Sequence, residues 1–479
     1  MQPLSLKREG RADRCHWSRS ALLAACVVLV AIGACTRTSD PVERYATGTA
    51  KPSSTGGKAS TTGGGRSATQ AGRASSNGGS ETGGSDLVGP GGEAGRMSSE
   101  GGSSPVEMPT DYGCGDPPVS SEPFTRQALR AAAADCAQWH YCRFEGAARD
   151  LAGELDAYAA APADETLDNA QQAFARAMDL WSVNELFQLG PLSSQSESAG
   201  KDSYQGQGIR ELIYAWPLSA RCRVEEQVAL RGYTKGMDNV LVAGRGLFAL
   251  DYLLFYSGLD TACSPTSATG KAWPALREAD VVRGKLDYAA ALGQDIVQQI
   301  AVLRTAWSPD GGNFRPLFVN ATGYPNEQEA MKVLGWALIY VEHEVKDWKL
   351  GLPAGHTASA PVSEAEGAYS DLGTRAIRGN LRGFRSLFQG CGADGEGLGF
   401  DDWLSEAGHP ELAQDIVSAW QTAQAFADSA PPLSQATPAE LEAFYQTVKA
   451  LTDLLKNDLF GAGSPLGLTL PKGIEGDTD

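Results

Sequence analysis

Two carboxylates stand where the surrounding pattern calls for apolar side chains. Asp251 sits inside Gly246-Leu247-Phe248-Ala249-Leu250-Asp251-Tyr252-Leu253-Leu254-Phe255, an otherwise apolar run of helical character. Glu185 continues the helical face of Phe174, Met178 and Trp181. A carboxylate on a core face must find a partner, take up a proton or line a cavity. For Glu185 this leaves a helix-end acid bonded to a loop amide or an Arg, or a functional group. For Asp251 it leaves a buried pair with an Arg such as Arg210 or Arg221, or a metal ligand. Both acids could equally line a cleft for an organic ligand or a partner peptide.

Peptidase chemistry has little to stand on. A zinc peptidase presents two His at helical spacing beside a general-base Glu, and after the amino-terminal region the chain holds only His140, His343, His356 and His409, none in that arrangement. His343-Glu344 with Asp347 has ligand-like spacing, but it lies off the Met331 to Trp348 apolar stripe, beside Glu342 and Lys346, and reads as a solvated charged face. His140, between Trp139 and Tyr141, reads as packing. No Gly-x-Ser-x-Gly elbow points to a serine nucleophile. The formal net charge of -18 argues against a nucleic-acid partner.

The elements that must position these groups are helices. Phe144, Ala148, Leu151, Leu155 and Tyr158 step by four and three, as do Met331, Leu334, Leu338, Val341, Val345 and Trp348. Further stripes run through Ile377, Leu381, Phe384 and Phe388, and through Leu412, Ile416, Ala419, Ala423 and Phe426. Thr437-Pro438 with Glu440 forms a capping box ahead of Leu441, Phe444, Val448, Leu451 and Leu455. Convincing alternating strands are absent, so the expected fold is all-α, two packed helical bundles over residues 113–479, with subdomains at about 121–260 and about 275–460. Cys114, Cys136, Cys142, Cys222, Cys263 and Cys391 lack zinc-type spacing and read as up to three disulfides, with fifteen pairings open. Cys136 and Cys142 cannot pair on one helix, because six residues separate them by about 9 Å along its axis.

The amino terminus addresses the chain to the cell envelope. Lys7, Arg8, Arg11, Arg14 and Arg19 precede an apolar run from Ala21 to Ile32, a secretory signal too short to span a bilayer. Ile32-Gly33-Ala34-Cys35 looks like a lipobox, which makes residues 1–35 a lipoprotein signal and Cys35 the lipidated residue. The alternative at Cys26 would leave too short an apolar segment. Thr36 after the cysteine favours the outer membrane. Residues 36–112, rich in Gly, Ser and Thr, cannot bury enough surface to order themselves and read as a disordered tether.

Several landmarks resemble the imelysin family. The Gly246 run is similar to its Gly-x-His-x-x-Glu helix, with Phe248 at the His position and Asp251 at the Glu position. Trp181 through Glu185 to Gly190-Pro191 resembles a second family segment. Trp216-Pro217 with Arg221 and Arg223, Glu366 through Tyr369-Ser370 with Ile377, Asn380, Gly383 and Gly390, and the end around Leu466 to Pro471 complete the likeness. The resemblance implies a helical fold, a binding surface drawing on Glu185, Trp216, Phe248, Asp251, Glu366, Ser370 and Asn380, and a metal, iron or another hard cation, at Asp251 and Glu185. The family is classed with the metallopeptidases and tied to envelope iron acquisition. The resulting expectation is a non-enzymatic binding component serving metal uptake, with an envelope uptake protein as partner. An interaction or organic-ligand module without the metal site, and a metallopeptidase, are the alternatives.

Overall fold

The structure, a computed structural model, describes residues 111–194, 202, 204–356, 365–472 and 474. Cys35, the export signal and residues 36–110 of the tether lie outside the described residues. Among the described residues there are helices and no β-strand, the all-α architecture expected. In chain order they are α1 (Arg126–Ala160), α2 (Asp164–Asn184), α3 (Ile209–Ile213), α4 (Arg221–Leu230), α5 (Gly246–Phe255), α6 (Ala268–Ala272) and α7 (Glu278–Trp307). There follow α8 (Phe314–Val319), α9 (Glu327–Trp336), a π-helix (Val341–Leu350), α10 (Gly351–Ala354), α11 (Gly373–Phe388), α12 (Phe400–Glu406), α13 (Pro410–Ser429), α14 (Pro438–Asp453) and a terminal π-turn (Leu454–Leu459). None of them is long and apolar enough to cross a membrane.

The first bundle forms because α1, α2, α5 and α7 each carry a wide apolar face. Thr125 caps α1 through its hydroxyl, which accepts from the Ala128 amide at 2.9 Å. Phe144, Ala148, Leu151 and Leu155 are buried as their spacing requires. Tyr288, Leu292, Ile296, Ile300 and Leu303 of α7 are likewise buried, and α7 packs along α1 and against α5. This moves the expected boundary: α7 falls within the stretch read as the second subdomain, yet its apolar stripe completes the first bundle. The Pro- and Gly-containing loop 257–274, which suggests a break, is tied back to α4 by the Cys222–Cys263 disulfide.

The second bundle gathers the π-helix, α11, α13 and α14. Thr437 and Glu440 make the reciprocal bonds of the capping box at α14, at 3.3 and 2.8 Å. On α13 the buried face is Ala413, Ile416, Trp420, Ala423 and Ala427, rotated from the expected stripe so that Leu412, Ala419 and Phe426 are only partly covered. On this face the Trp420 indole donates to the Leu381 carbonyl at 2.8 Å. Helix α11 joins the bundles by lying against α2, and two of its residues are Gly for lack of space. A Cβ on Gly379 would meet Ser182 Cβ at 2.5 Å, and one on Gly383 would meet the Val183 carbonyl oxygen at 2.7 Å.

The six cysteines form Cys114–Cys142, Cys136–Cys391 and Cys222–Cys263, so Cys136 and Cys142 do take different partners. The first bridge pins the entering chain to α1. Tyr112 also packs against α1 there, over Gly146.

Candidate functional site: a buried ionic cluster where the bundles meet

Glu185 closes α2 as its C-cap residue and is fully buried. Its carboxylate accepts from Arg210 Nη2 at 3.3 Å on one oxygen, and from Lys349 Nζ at 2.8 Å and Asn380 Nδ2 at 3.1 Å on the other. Asn380 also donates to the Ser182 carbonyl at 2.6 Å, locking α11 to the end of α2. The reading of Glu185 as a helix-end acid bonded to an Arg is thus correct as far as it goes. Burial alone would raise its pKa, but the Lys349 ammonium and the Arg210 guanidinium outweigh that and hold it below the usual range.

Lys349 belongs to two acids at once. Its ammonium also reaches Glu366 Oε1 at 2.8 Å, and the same oxygen accepts from the Tyr214 hydroxyl at 2.7 Å. Burial, reinforced by the nearby Glu185 charge, pushes the Glu366 carboxyl up despite Lys349. Trp216, in a cis peptide with Pro217, lies with its ring 5.8 Å from Lys349 Nζ. The π-helix that carries Lys349 buries Glu342, Glu344, Lys346 and Lys349, which corrects the expectation of a solvated charged face around His343. Its charges survive burial because Lys346 and Lys456 both reach the Glu342 carboxylate, at 3.2 and 2.6 Å. Lys349 escapes a search for catalytic types because it looks like a surface lysine. The signal was its place four residues beyond Val345 and eight beyond Val341, in line with the core face.

Asp251 is held apart from these cations. Its two oxygens accept from the backbone amides of Ser370 at 3.0 Å and Tyr369 at 3.3 Å. The pairing expected with Arg210 or Arg221 does not occur: Arg210 is bonded to Glu185, and Arg221 to Glu225 and Asp260. Buried and without a cation beside it, the Asp251 carboxyl is pushed up to about 6, the Ser370 hydroxyl and the two amides offsetting part of the burial. Gly246 explains how α5 comes to this position. It has φ +70°, and a Cβ there would stand 2.2 Å from the Ile213 carbonyl oxygen, so the helix starts directly against the end of α3. Phe248, Asp251, Glu366 and Ser370 then line one cavity of about 10 Å³, with Tyr214, Phe174 and others. That is room for a single water.

These residues do not fit a metal shared by Asp251 and Glu185. Phe248 brings no lone pair, both Glu185 oxygens are engaged by cations and Asn380, and the Lys349 ammonium stands between Glu185 and Glu366 where a cation would compete with it. Glu366 Oε2 is the one cluster carboxylate oxygen left without a hydrogen-bond partner among the described residues. Among the described residues only Cys136, His140 and Cys391 bring three ligand atoms of such types within 4.8 Å of one another, and the two cysteines are spent on a disulfide. His140 is buried as packing, beside Trp139 and Phe187.

A two-bundle helical protein with a charge-compensated cluster at the bundle junction is thereby defined. The chain belongs to the imelysin family, whose pattern it matches over residues 137–459. It is 22% identical over 290 residues to iron-regulated protein A of Synechococcus elongatus, covering 59% of this chain and 70% of that one. Its fold is that of an imelysin-like protein from Psychrobacter arcticum, with a TM-score of 0.54 at 15% identity over 74% of this chain and 99% of the other. A putative iron-regulated protein A precursor from Parabacteroides distasonis superposes with a TM-score of 0.51 at 14% identity, covering 72% and 97%.

Proposed function

We propose that this chain is a non-enzymatic binding component of the cell envelope, linked to iron acquisition, whose motif helix works without a bound metal. The iron link rests on the relative called iron-regulated protein A, and the envelope location on the signal and lipobox ending at Cys35. The observation that carries the non-enzymatic part is Lys349, whose ammonium lies 2.8 Å from both Glu185 and Glu366. An internal ammonium already pairs with the acids that a catalytic metal would need, and among the described residues no imidazole is bonded to them. A hydrolytic metal also requires an open coordination position with water, and the cavity beside Asp251 holds about one water in all.

Titration calorimetry of the full chain with Fe(III) citrate and with Zn(II), beside Asp251→Ala, tests this reading. The expected result is no stoichiometric heat that depends on Asp251, and no chelator-sensitive cleavage of casein. Saturable binding abolished by Asp251→Ala would overturn the metal-free reading. The iron link has its own check, since the protein should accumulate when cells are grown with an iron chelator; unchanged abundance would sever it.

A further inference from the structure

Seven cationic side chains are buried in the described residues, and six have a carboxylate within ion-pair distance: Arg130, Arg210, Arg245, Lys346, Lys349 and Lys456. Lys285 of α7 is the exception. It is only 8% exposed, and its ammonium donates to two backbone carbonyls, Tyr256 at 2.8 Å and Gly258 at 2.9 Å. It also faces the rings of Tyr252 and Tyr256 at 4.8 and 5.3 Å. These contacts hold the nitrogen in place but bring no carboxylate within ion-pair distance, Glu225 and Asp260 acting on it only from further off, and they leave one of its three N–H groups without an acceptor among the described residues. A buried ammonium in this condition is costly, and its pKa is depressed to about 8 by burial, with Arg221 adding to the effect and Glu225 and Asp260 partly opposing it.

Lys285 is also on the wall of a cavity of about 300 Å³, the size at which small-molecule sites begin. The rest of the wall is mainly hydrocarbon and aromatic: Leu167 of α2, Leu253 and Phe255 of α5, Leu286 and Ala289 of α7, and Tyr158 at the end of α1. Gln171 also lines it, but its amide is already committed to the Leu254 carbonyl at 2.8 Å. A largely apolar chamber whose one fixed cation has no carboxylate in direct contact selects for a ligand of matching form, an apolar body bearing one negative group.

We propose that this cavity is a binding site for an apolar monocarboxylate, whose carboxylate pairs with Lys285 and whose hydrocarbon part fills the space between α2, α5 and α7. The site is separate from the Glu185–Lys349–Glu366 cluster, so it stands whether or not the function proposed above is correct. A structural role for Lys285 as a cap on the carbonyls after α5 is compatible with this, but it does not account for the chamber beside it.

Decanoate is the probe, titrated into the full chain at pH 7 by calorimetry, with decanol and decyltrimethylammonium as neutral and cationic counterparts of similar body. Decanoate should bind at one site, and more tightly than either counterpart. Lys285→Met, which keeps the volume and removes the charge, should weaken decanoate about tenfold or more while leaving decanol unchanged. Ala289→Trp, which fills the chamber, should remove both; thermal unfolding of each variant shows that it is folded. Absence of decanoate binding to the unmodified chain, equal affinity for decanol, or undiminished affinity in Lys285→Met would each overturn the proposal.

Discussion

Asp251 and His140 are both buried and both lack an opposite charge, yet burial acts on them in opposite directions. The Asp251 carboxyl titrates near 6 against 3.8 for an ordinary aspartic acid. Its contribution to stability is therefore complete at low pH and is lost as pH rises from about 4 through 6. His140 titrates near 3 against 6.5, because burial and then Arg143 disfavour its cation. Its contribution is complete above 6.5 and is lost as pH falls through that window. Urea unfolding of Asp251→Ala between pH 4 and 6 should accordingly show stability rising more steeply with pH than in the unmodified chain. His140→Phe should show the reverse, each by no more than about 1.4 kcal/mol per pH unit. Equal slopes in all three proteins would mean that neither group is buried as described. For Lys349 the prediction is larger. Lys349→Met leaves Glu185 with Arg210 and Asn380 and leaves Glu366 with Tyr214 alone, a buried pair broken from the cationic side, and should cost about 3–5 kcal/mol in the same assay.

What was legible at the level of elements depended on whether a helix kept a regular period. The stripes through Phe144 to Leu155, Ile377 to Phe388 and Leu441 to Leu455 could be read because each apolar residue faces the core at ordinary α spacing. The carboxylates Glu185 and Asp251 stood out against such stripes for the same reason. The π-helix hid more: its wider turns bring Glu342, Glu344 and Lys346 inside along with Lys349, and of these only Lys349 falls on the face that Val341 and Val345 mark. The partners of Asp251 were hidden for a different reason. They are main-chain amides of Tyr369 and Ser370, and an amide has no letter in a sequence. Gly246 lies between these cases, being visible as part of a motif but explained only by the Ile213 carbonyl beside it. Gly246→Ala places a methyl group at that 2.2 Å contact on a left-handed backbone. It should destabilise the protein by about 1–3 kcal/mol or more, read as a lowered thermal midpoint; an unchanged midpoint would show that α5 can start elsewhere.

Over the whole molecule, covalent and ionic ties cross between parts that the sequence keeps far apart. Cys136 and Cys391 are 255 positions apart, and their bond fastens α1 to the loop after α11. Replacing both by Ser should lower stability by about 2–5 kcal/mol in chemical denaturation under oxidising conditions. Under a thiol reductant, most of the difference from the unmodified chain should disappear. If the two proteins already unfold together without reductant, that bridge adds nothing to the fold.

The arrangement of the central cluster bears on how the chain is made. Glu185 and Arg210 leave the ribosome early, but the ammonium that completes their neutralisation is 164 positions behind Glu185. Cys391, the partner of Cys136, comes later still. A nascent chain halted between Trp307 and Lys349 has the helices of the first bundle, but an acid at the end of α2 that lacks its ammonium and an unbridged thiol in α1. The junction can therefore close only after synthesis has passed Lys349, and its covalent tie only after Cys391.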